Sequence, residues 1–392
     1  MEKFIEVIFW ISLFMIFYAY FGYPLVLMII SSFHEKKVEK GAISPKVSFI
    51  ITAFNEEQKI RDKLENSLQL DYPSESLEII VASDCSTDKT DDIVKEYNRK
   101  GVRLVRAHVR KGKEYAQKLA VSEASGDILV FSDVSTILEN DALKNIVSNF
   151  YDKTVGCVSS VDKFINPDGS ISGEGAYVRY EMFLRSLESR INTLVGLSGS
   201  FFAARKEVCS NWAEDLQSDF NTLLNSVKAG LRGISDPETI GYYRNIQDEK
   251  KEFNRKVRTV LRGISVLMRN LSLLNPFKYG LFSWQLFSHK LCRWLVPFFL
   301  IIAFISNAVL ALWTSSLCLK ILFIMQLCFY SLALFYVIFF TRSGPAVSKS
   351  SSLANVLKIP YYFVTVNASI FLAWIKYFKG ERAIFWEPSK RL

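Results

Sequence analysis

Long uncharged apolar runs stand at both ends of the chain, and a charged sequence lies between them. A membrane-spanning helix needs about 20 apolar residues at ~1.5 Å per residue. Three runs reach that length: 7–33, 294–313 and 321–340. A fourth, 359–375, is shorter and contains Pro360, so it either spans, tilts or lies in the interface. The pattern predicts an N-terminal transmembrane anchor over 1–35 and C-terminal membrane helices over 291–378.

Lysines indicate the orientation of the anchor. Only Lys3 precedes the first run, whereas four lysines follow it: Lys36, Lys37, Lys40 and Lys46. The positive-inside rule therefore places the central region on the cytosolic side of the membrane, expected to be a bacterial-type inner or plasma membrane. A fully spanning fourth segment conflicts with this rule, because it would put the basic tail, 379–392, outside. Either that segment does not cross or the rule fails there.

Aromatic residues are dense over 275–290, just before the second run. Aromatic rings with few charges are typical of the membrane interface, where ring bodies bury and polar edges stay wet. The segment is predicted to be interfacial, with a plain loop as the alternative. The net charge of +9 fits attraction to an anionic leaflet. No basic run with interleaved aromatics is present, so we expect no nucleic-acid partner.

The middle of the chain changes to short β-branched runs that alternate with helical stretches. Strands are predicted at 47–53, 77–82, 102–105 and 127–131, with helices at 56–68, 87–100 and 113–124. Such alternation is typical of βαβ units and a mostly parallel sheet, that is, an α/β nucleotide-binding topology.

Acidic residues follow three of these strands: Glu56 the first, Asp84 the second and Asp133 the fourth. Ligands of open α/β sheets bind beyond the carboxyl ends of the strands, so strand geometry brings these acids to one edge. Each acid also has a structural explanation, because Asp84 with Ser86 suits a helix cap and Asp133 a turn.

Several ordered motifs resemble the family 2 glycosyltransferases, which have the GT-A fold. They are VSFIITAFNEEQKI from Val47, EIIVASDCSTDKT from Glu78, GKEYAQKLAVSEASGDILVFSDVST from Gly112, SDF at 218–220, RKVR at 255–258 and FWEPSKR at 385–391. Within that family, the chain resembles exopolysaccharide or poly-N-acetylglucosamine synthase-type enzymes. The resemblance implies a GT-A catalytic domain over 46–268, between membrane helices at both ends.

The resemblance also implies roles for particular residues. Glu56 and Asp84 would meet the nucleoside of the donor, and Lys113 would face the nucleotide or its phosphates, unless Lys113 only starts a helix. Asp133 would hold a divalent metal, Mg²⁺ or Mn²⁺, because hard cations prefer carboxylate oxygens. The family motif usually has a second acid where this chain has Ser135, a weaker ligand.

Asp219 corresponds to the general base of the family and implies an inverting reaction, although an acid there also suits the start of a helix. Arg255 and Arg258 would bind the diphosphate, while a solvated or leaflet-facing basic helix is the alternative. Processive members commonly carry Gln-x-x-Arg-Trp, and here Arg255 and Thr259 replace the glutamine and the tryptophan.

We therefore expect an enzyme that moves a hexose or N-acetylhexosamine from a nucleotide sugar, expected to be UDP-linked, to a growing polysaccharide or a lipid-linked glycan. Two alternatives remain open. One is a transferase that adds a single sugar to a polyprenyl-linked acceptor. The other is an inactive membrane protein that keeps the fold, for which Ser135 is the indication.

Overall fold

The computed structural model describes residues 1–165, 176–244, 249–340 and 352–383. The FWEPSKR motif and residues 384–392 of the predicted basic tail lie outside these ranges. The chain forms two compact units. The first comprises Met1–Val26, Asp248–Leu261 and Phe287–Glu381, and the second comprises Leu27–Gln247, Arg262–Leu286 and Arg382–Leu392.

The second unit contains an eight-stranded mixed sheet with the order β3-β2-β1-β4-β7-β6-β8-β5. The strands are β1 Val47–Ala53, β2 Leu77–Ser83, β3 Val102–Arg106, β4 Ile128–Asp133, β5 Ile137–Leu138, β6 Val155–Ile165, β7 Phe201–Arg205 and β8 Arg232–Arg244. The first four strands pair in parallel, as the alternating pattern predicts. β7 runs antiparallel to both β4 and β6, whereas β6 and β8 are parallel.

The helices, in chain order, are α1 Glu2–Phe17, α2 Tyr23–Phe33, α3 Ile60–Leu68, α4 Thr90–Glu96, α5 Lys113–Glu123, α6 Ala142–Ser148, α7 Ala176–Ile191, α8 Ser218–Lys228, α9 Glu249–Arg269, α10 Pro276–Tyr279, α11 Leu281–Leu286, α12 Arg293–Trp313, α13 Leu317–Phe340 and α14 Ser352–Phe378. The predicted helix 56–68 begins later, at Ile60, because the chain first makes a turn in which Asn55 has a φ of 52°.

Both faces of the sheet are covered, which explains why β1 is mostly apolar and does not alternate between apolar and polar residues. Alternate residues of β1 enter different cores. Phe49 and Ile51 pack in the core that holds α3 and α6, whereas Ile50 packs with Ala116 and Ala120 of α5. Every residue of β1 is buried, and the strand therefore provides a rigid support for the loops at its carboxyl end.

Within the described ranges, four helical stretches are long and apolar enough to cross a membrane: Glu2–Phe33, Leu281–Trp313, Leu317–Phe339 and Val356–Phe378. The helix that contains the fourth run is thus long enough to cross a membrane, a point that the sequence analysis left open. Within the first unit, Phe9 packs against Ala303 and Leu310, and Trp374 Nε1 donates to the carbonyl of Trp294 at 2.9 Å. The predicted interfacial segment is helical rather than a plain loop, because α10 and α11 occupy it.

Candidate active site

The carboxyl ends of β1, β2 and β4 bring the predicted acids to one edge of the sheet. Ala53 pairs with Ser83 across β1 and β2, and Thr52 pairs with Asp133 across β1 and β4. Asp84 is the next residue after β2, and its N–H donates to the carbonyl of Ala53 at 3.0 Å. Asp84 and Asp133 therefore lie at one edge of the sheet, as predicted, and the strand order places them on opposite sides of β1.

Asp84 anchors the loop that precedes α5. Its fully buried carboxylate accepts hydrogen bonds from the N–H groups of Lys111 and Gly112, at 3.0 to 3.1 Å. Burial raises the pKa of Asp84, and these two amides oppose the rise. Gly112 has a φ of 104°, which only glycine adopts readily, so the loop conformation depends on both residues. Asp84 thus binds backbone amides of the 111–112 loop rather than capping α4.

Lys113, at the start of α5, lies between two parts of the site. Its Nζ is 2.5 Å from Asp133 Oδ1 and donates to the carbonyl of Gly199 at 3.0 Å. The lysine is largely buried, whereas about a fifth of the Asp133 side chain is exposed. Asp133 also donates its N–H to the carbonyl of Ser200 at 3.0 Å. A buried ammonium and an accessible carboxylate thus meet at the end of β4.

Asp219 lies in the first turn of α8 and contacts the same glycine. Its Oδ1 accepts the N–H of Phe220 at 2.9 Å, and its Oδ2 accepts Nε2 of Gln217 at 3.1 Å. A methyl group added at Gly199 would lie only 2.9 Å from Oδ2. The glycine is therefore what allows the carboxylate and the 196–200 loop to approach each other closely.

Burial raises the pKa of Asp219, whereas the charges of Lys113 and Arg262 oppose that rise. Arg262, on α9, pairs with the buried carboxylate of Glu114. Glu114 itself contributes to the raised pKa of Asp219. The candidate base is thus an acid whose proton affinity is increased by desolvation and adjusted by a neighbouring ion pair.

Glu56 is largely buried, and its N–H donates to Thr90 Oγ1 at 2.8 Å, which joins the loop after β1 to α4. Arg255 and Arg258 belong to the first unit, and the guanidinium of Arg255 forms two 2.8 Å hydrogen bonds with Glu252. The roles of Arg255 and Arg258 at the diphosphate stay predictions.

The residues at Asp133 fit a metal ion only as part of a larger ligand set. Among the described residues, no group of three or more His, Cys, Asp or Glu side chains is arranged to hold a metal. Asp133 offers one carboxylate, and Ser135, two residues on, offers a hydroxyl. Mg²⁺ typically keeps waters and takes substrate phosphates beside one or two carboxylates, so this donor set fits a cation bound together with a diphosphate.

Several site residues escaped the sequence analysis. Lys63 of α3 is buried and donates to Ser132 Oγ at 2.8 Å and to the carbonyl of Thr136 at 2.7 Å, which fixes the turn that follows β4. Burial lowers the pKa of Lys63 to about 7, and the charge of Asp133 opposes that effect. In the sequence, Lys63 is indistinguishable from a solvent-facing helix lysine.

An aromatic platform was missed as well. The guanidinium of Arg110 lies 3.8 Å from the ring centroid of Phe54, the residue that follows β1. Such a distance is typical of a cation–π contact. The position of Phe54 directly after a strand was a usable signal, because the same reasoning identified Asp84 and Asp133.

Comparison with known proteins agrees with this geometry. Residues 48–212 match the family model for Glycosyl transferase family 2. Residues 48–212 therefore match a glycosyltransferase family 2 domain, and the resemblance seen in the first three motifs is confirmed.

Two curated relatives and one solved structure show the range of the similarity. A protein of Methanococcus voltae named dolichyl N-acetyl-alpha-D-glucosaminyl phosphate 3-beta-D-2,3-diacetamido-2,3-dideoxy-beta-D-glucuronosyltransferase is 27% identical over 60% of this chain and 78% of its own length. A poly-beta-1,6-N-acetyl-D-glucosamine synthase of Staphylococcus epidermidis is 25% identical over 57% of this chain. The chain covers 56% of that synthase, a little over half.

The solved structure is the mannosyltransferase PcManGT from Pyrobaculum calidifontis, in complex with GDP-Man and Mn2+. It superposes with a TM-score of 0.72 at 21% sequence identity, over 96% of this chain and 100% of that chain. The match establishes a GT-A-like fold. The sequence predicted this fold with a mostly parallel sheet and membrane helices at both ends. The sheet is mixed, with its first four strands parallel, and candidate membrane helices lie at both ends.

Proposed function

We propose that this protein is a membrane-bound, inverting glycosyltransferase that moves a sugar from a nucleoside diphosphate sugar to a glycan or lipid-linked acceptor. One observation carries the proposal. Within and just beyond residues 48–212, which match the family 2 model, the contacts of Lys113 and Gly199 join Asp133, at the end of β4, to Asp219, at the start of α8. Such a transfer needs positive charge at the departing diphosphate and a carboxylate at the attacking hydroxyl.

Asp219 is proposed as the general base. Its Oδ1 and Oδ2 are held by Phe220 and Gln217, so the carboxylate keeps one orientation. Burial raises its pKa, which makes the carboxylate a better proton acceptor than an exposed aspartate. It would take the proton of the acceptor hydroxyl while the oxygen attacks the anomeric carbon opposite the leaving diphosphate, which inverts the configuration.

Lys113 is proposed to position both Asp133 and the donor diphosphate. Its ammonium already bonds Asp133, and it provides a buried positive charge at the expected phosphate position. Asp133, with Ser135, would hold Mg²⁺ or Mn²⁺ together with the donor. When bound, that cation would neutralise negative charge on the diphosphate as it departs. Arg255 and Arg258 are proposed as further diphosphate ligands.

The nucleoside is proposed to bind over Asp84, Glu56 and the Phe54 ring. Asp84 fixes the 111–112 loop, which would form one wall of that subsite. We propose a UDP-linked hexose or N-acetylhexosamine as donor, because the Staphylococcus epidermidis relative is named for N-acetylglucosamine. GDP-linked sugars are the comparison in the test below, since the mannosyltransferase was solved with GDP-Man.

The acceptor has two candidate forms. A growing polysaccharide is favoured by the synthase relative, whereas a single addition to a lipid-linked acceptor is favoured by the Methanococcus voltae relative and by Thr259 in place of a stacking tryptophan. Product length separates them, because a processive enzyme yields long chains from the first minutes of reaction.

The donor screen is the direct test of this function. Purified full-length protein, supplied with extracted membrane acceptors and Mg²⁺ or Mn²⁺, is incubated with single UDP- and GDP-sugars while nucleoside diphosphate release is measured. Acceptor-dependent release from at least one sugar is expected. Absence of release with every donor and both metals would favour the inactive membrane protein.

A cytosolic location of the catalytic domain is also proposed, from the lysines that follow the first run. A single cysteine introduced in the exposed part of 92–99 should be protected from a membrane-impermeant reagent in intact cells. Labelling from outside would reverse the orientation.

A further inference from the structure

A cavity of about 740 Å³ lies in the second unit, lined by residues that the proposed reaction does not use. Four basic and two acidic side chains line it, so its charge is net positive: Lys36, Lys37, Lys153 and Arg232 against Glu39 and Asp152. Its remaining lining includes the half-exposed ring of Tyr151 and the partly buried Ile43. A pocket of this composition suits an anionic group attached to an apolar body.

Arg232 builds the basic wall of this cavity. It is only 4% exposed, and its guanidinium donates to the carbonyls of Lys36 at 2.9 Å and Lys37 at 2.8 Å. A third bond, at 3.2 Å, reaches the carboxylate of Asp152 and so offsets that negative charge. The backbone that carries the two lysines is thus held in place before any ligand arrives.

A second contact fixes the same segment from the other side, because the N–H of Lys36 donates to the carbonyl of Arg190 at 2.6 Å. The Nε of Arg232 is buried and has no hydrogen-bond partner among the described residues. Unpaired buried N–H groups are rare in folded proteins, and they often mark a position where a water or ion binds. The side chains of Lys36, Lys37 and Lys153 are exposed and form no ion pair within the described residues.

The position of the cavity along the chain indicates where its ligand comes from. Lys36 lies three residues beyond Phe33, the last residue of the candidate span Glu2–Phe33. Three residues extend at most about 11 Å, so Lys36 cannot lie far from the headgroup layer, which is roughly 5 to 8 Å thick on each side. Tyr151, which lines the cavity, suits that depth, because tyrosine is enriched at the membrane–water interface.

We propose that this cavity binds the phosphate headgroup of an anionic bilayer lipid, with Lys36, Lys37 and Lys153 as its ligands and Arg232 as the residue that positions Lys36 and Lys37. This site is separate from the Asp133 and Asp219 residues and goes beyond the proposed transfer reaction. A soluble phosphate offers the same chemistry, but the proximity to the end of α2 and the apolar lining favour the lipid.

The test uses the full-length protein in a neutral detergent. Binding of phosphatidylglycerol and of phosphatidylcholine is titrated by native mass spectrometry. The variant Lys36→Ala/Lys37→Ala/Lys153→Ala is compared with Lys89→Ala/Lys95→Ala/Lys118→Ala, which removes three other exposed lysines of the same unit. Each lysine near a membrane surface contributes about a fivefold change in binding, so loss of all three should lower phosphatidylglycerol affinity by about a hundredfold.

The control variant should stay within about twofold of the native protein, and phosphatidylcholine binding should change in neither variant. Equal losses in both triple variants would overturn the proposal, because general charge attraction would then explain the binding. Inorganic phosphate supplies the second arm. If it binds as tightly as phosphatidylglycerol and displaces it, the ligand is a soluble anion and the lipid assignment is wrong.

Discussion

Replacement of Gly199 by alanine perturbs the proposed base without altering its chemistry. The new methyl carbon would lie 2.9 Å from Asp219 Oδ2 and 3.5 Å from its Cγ. Ordinary contacts begin near 3.4 Å, so either the carboxylate or the loop must move by about 0.5 Å. The carboxylate cannot turn away freely, because Phe220 and Gln217 each hold one of its oxygens.

The size of the effect follows from that displacement. Insertion of a methyl group into a packed site costs about 1 to 3 kcal/mol, and a misplacement of about 1 Å lowers turnover by about a hundredfold. A shift of half that distance should lower kcat by about tenfold. Nucleotide affinity should change by less than about twofold, because the nucleoside is expected to bind at the ends of β1 and β2.

The assay compares kcat for sugar transfer, nucleotide affinity by calorimetry and the apparent unfolding temperature. Gly101→Ala is the matched control, since Gly101 has a φ of 85° and open space around the added methyl. That control should lose stability, by about 1 to 2 kcal/mol for a left-handed alanine, while its kcat stays unchanged. A native kcat in Gly199→Ala would refute the proposed role of Asp219 as a base held against Gly199. An equal loss of kcat in Gly101→Ala would refute it as well.

Three other predictions concern the same site. Asp84→Ala should weaken nucleotide binding by about 1 to 3 kcal/mol in calorimetry, because the loop loses the acceptor of two amide hydrogen bonds; unchanged affinity would contradict this. Arg262→Gln should shift the acidic limb of the kcat–pH profile to higher pH. The substitution removes a positive charge that lowers the pKa of Asp219, so this pKa should rise. Because transfer requires the ionised carboxylate, activity should then begin to fall at a higher pH than in the native protein. An unmoved limb would show that Asp219 does not control it. Chelation and Asp133→Ala should both stop transfer, whereas Ser135→Asp should tighten metal binding measured without donor; activity that survives both of the first two would remove the metal from the mechanism.

The sequence predicted the parallel half of the sheet well because its strands are buried on both faces. Such strands form short apolar runs, and β1 begins and ends at the predicted residues. Parallel pairing then places the residues that follow β1 and β2 at one edge, so the proximity of Asp84 to this edge required no knowledge of side chains. Strands β5 to β8, which include the antiparallel pairs, were not among the predicted strands.

The contacts that complete the site depend on packing between distant segments. Glu114 and Arg262 are 148 residues apart, and neither position differs from an ordinary helix residue until the helices pack. Lys63 is similar, because its burial under the β4 turn arises from the placement of α3 on the sheet. The close approach of Gly199 to Asp219 likewise arises only when the 196–200 loop packs against α8.

Asp219→Asn tests the central claim most directly. The amide keeps the size of the side chain but cannot accept the proton of the acceptor hydroxyl. Transfer of labelled sugar by the purified full-length protein should be abolished, while calorimetric affinity for the nucleoside diphosphate should stay within about twofold of the native value. Transfer at the native rate by this variant would contradict the account, because the acceptor would then be deprotonated by another group.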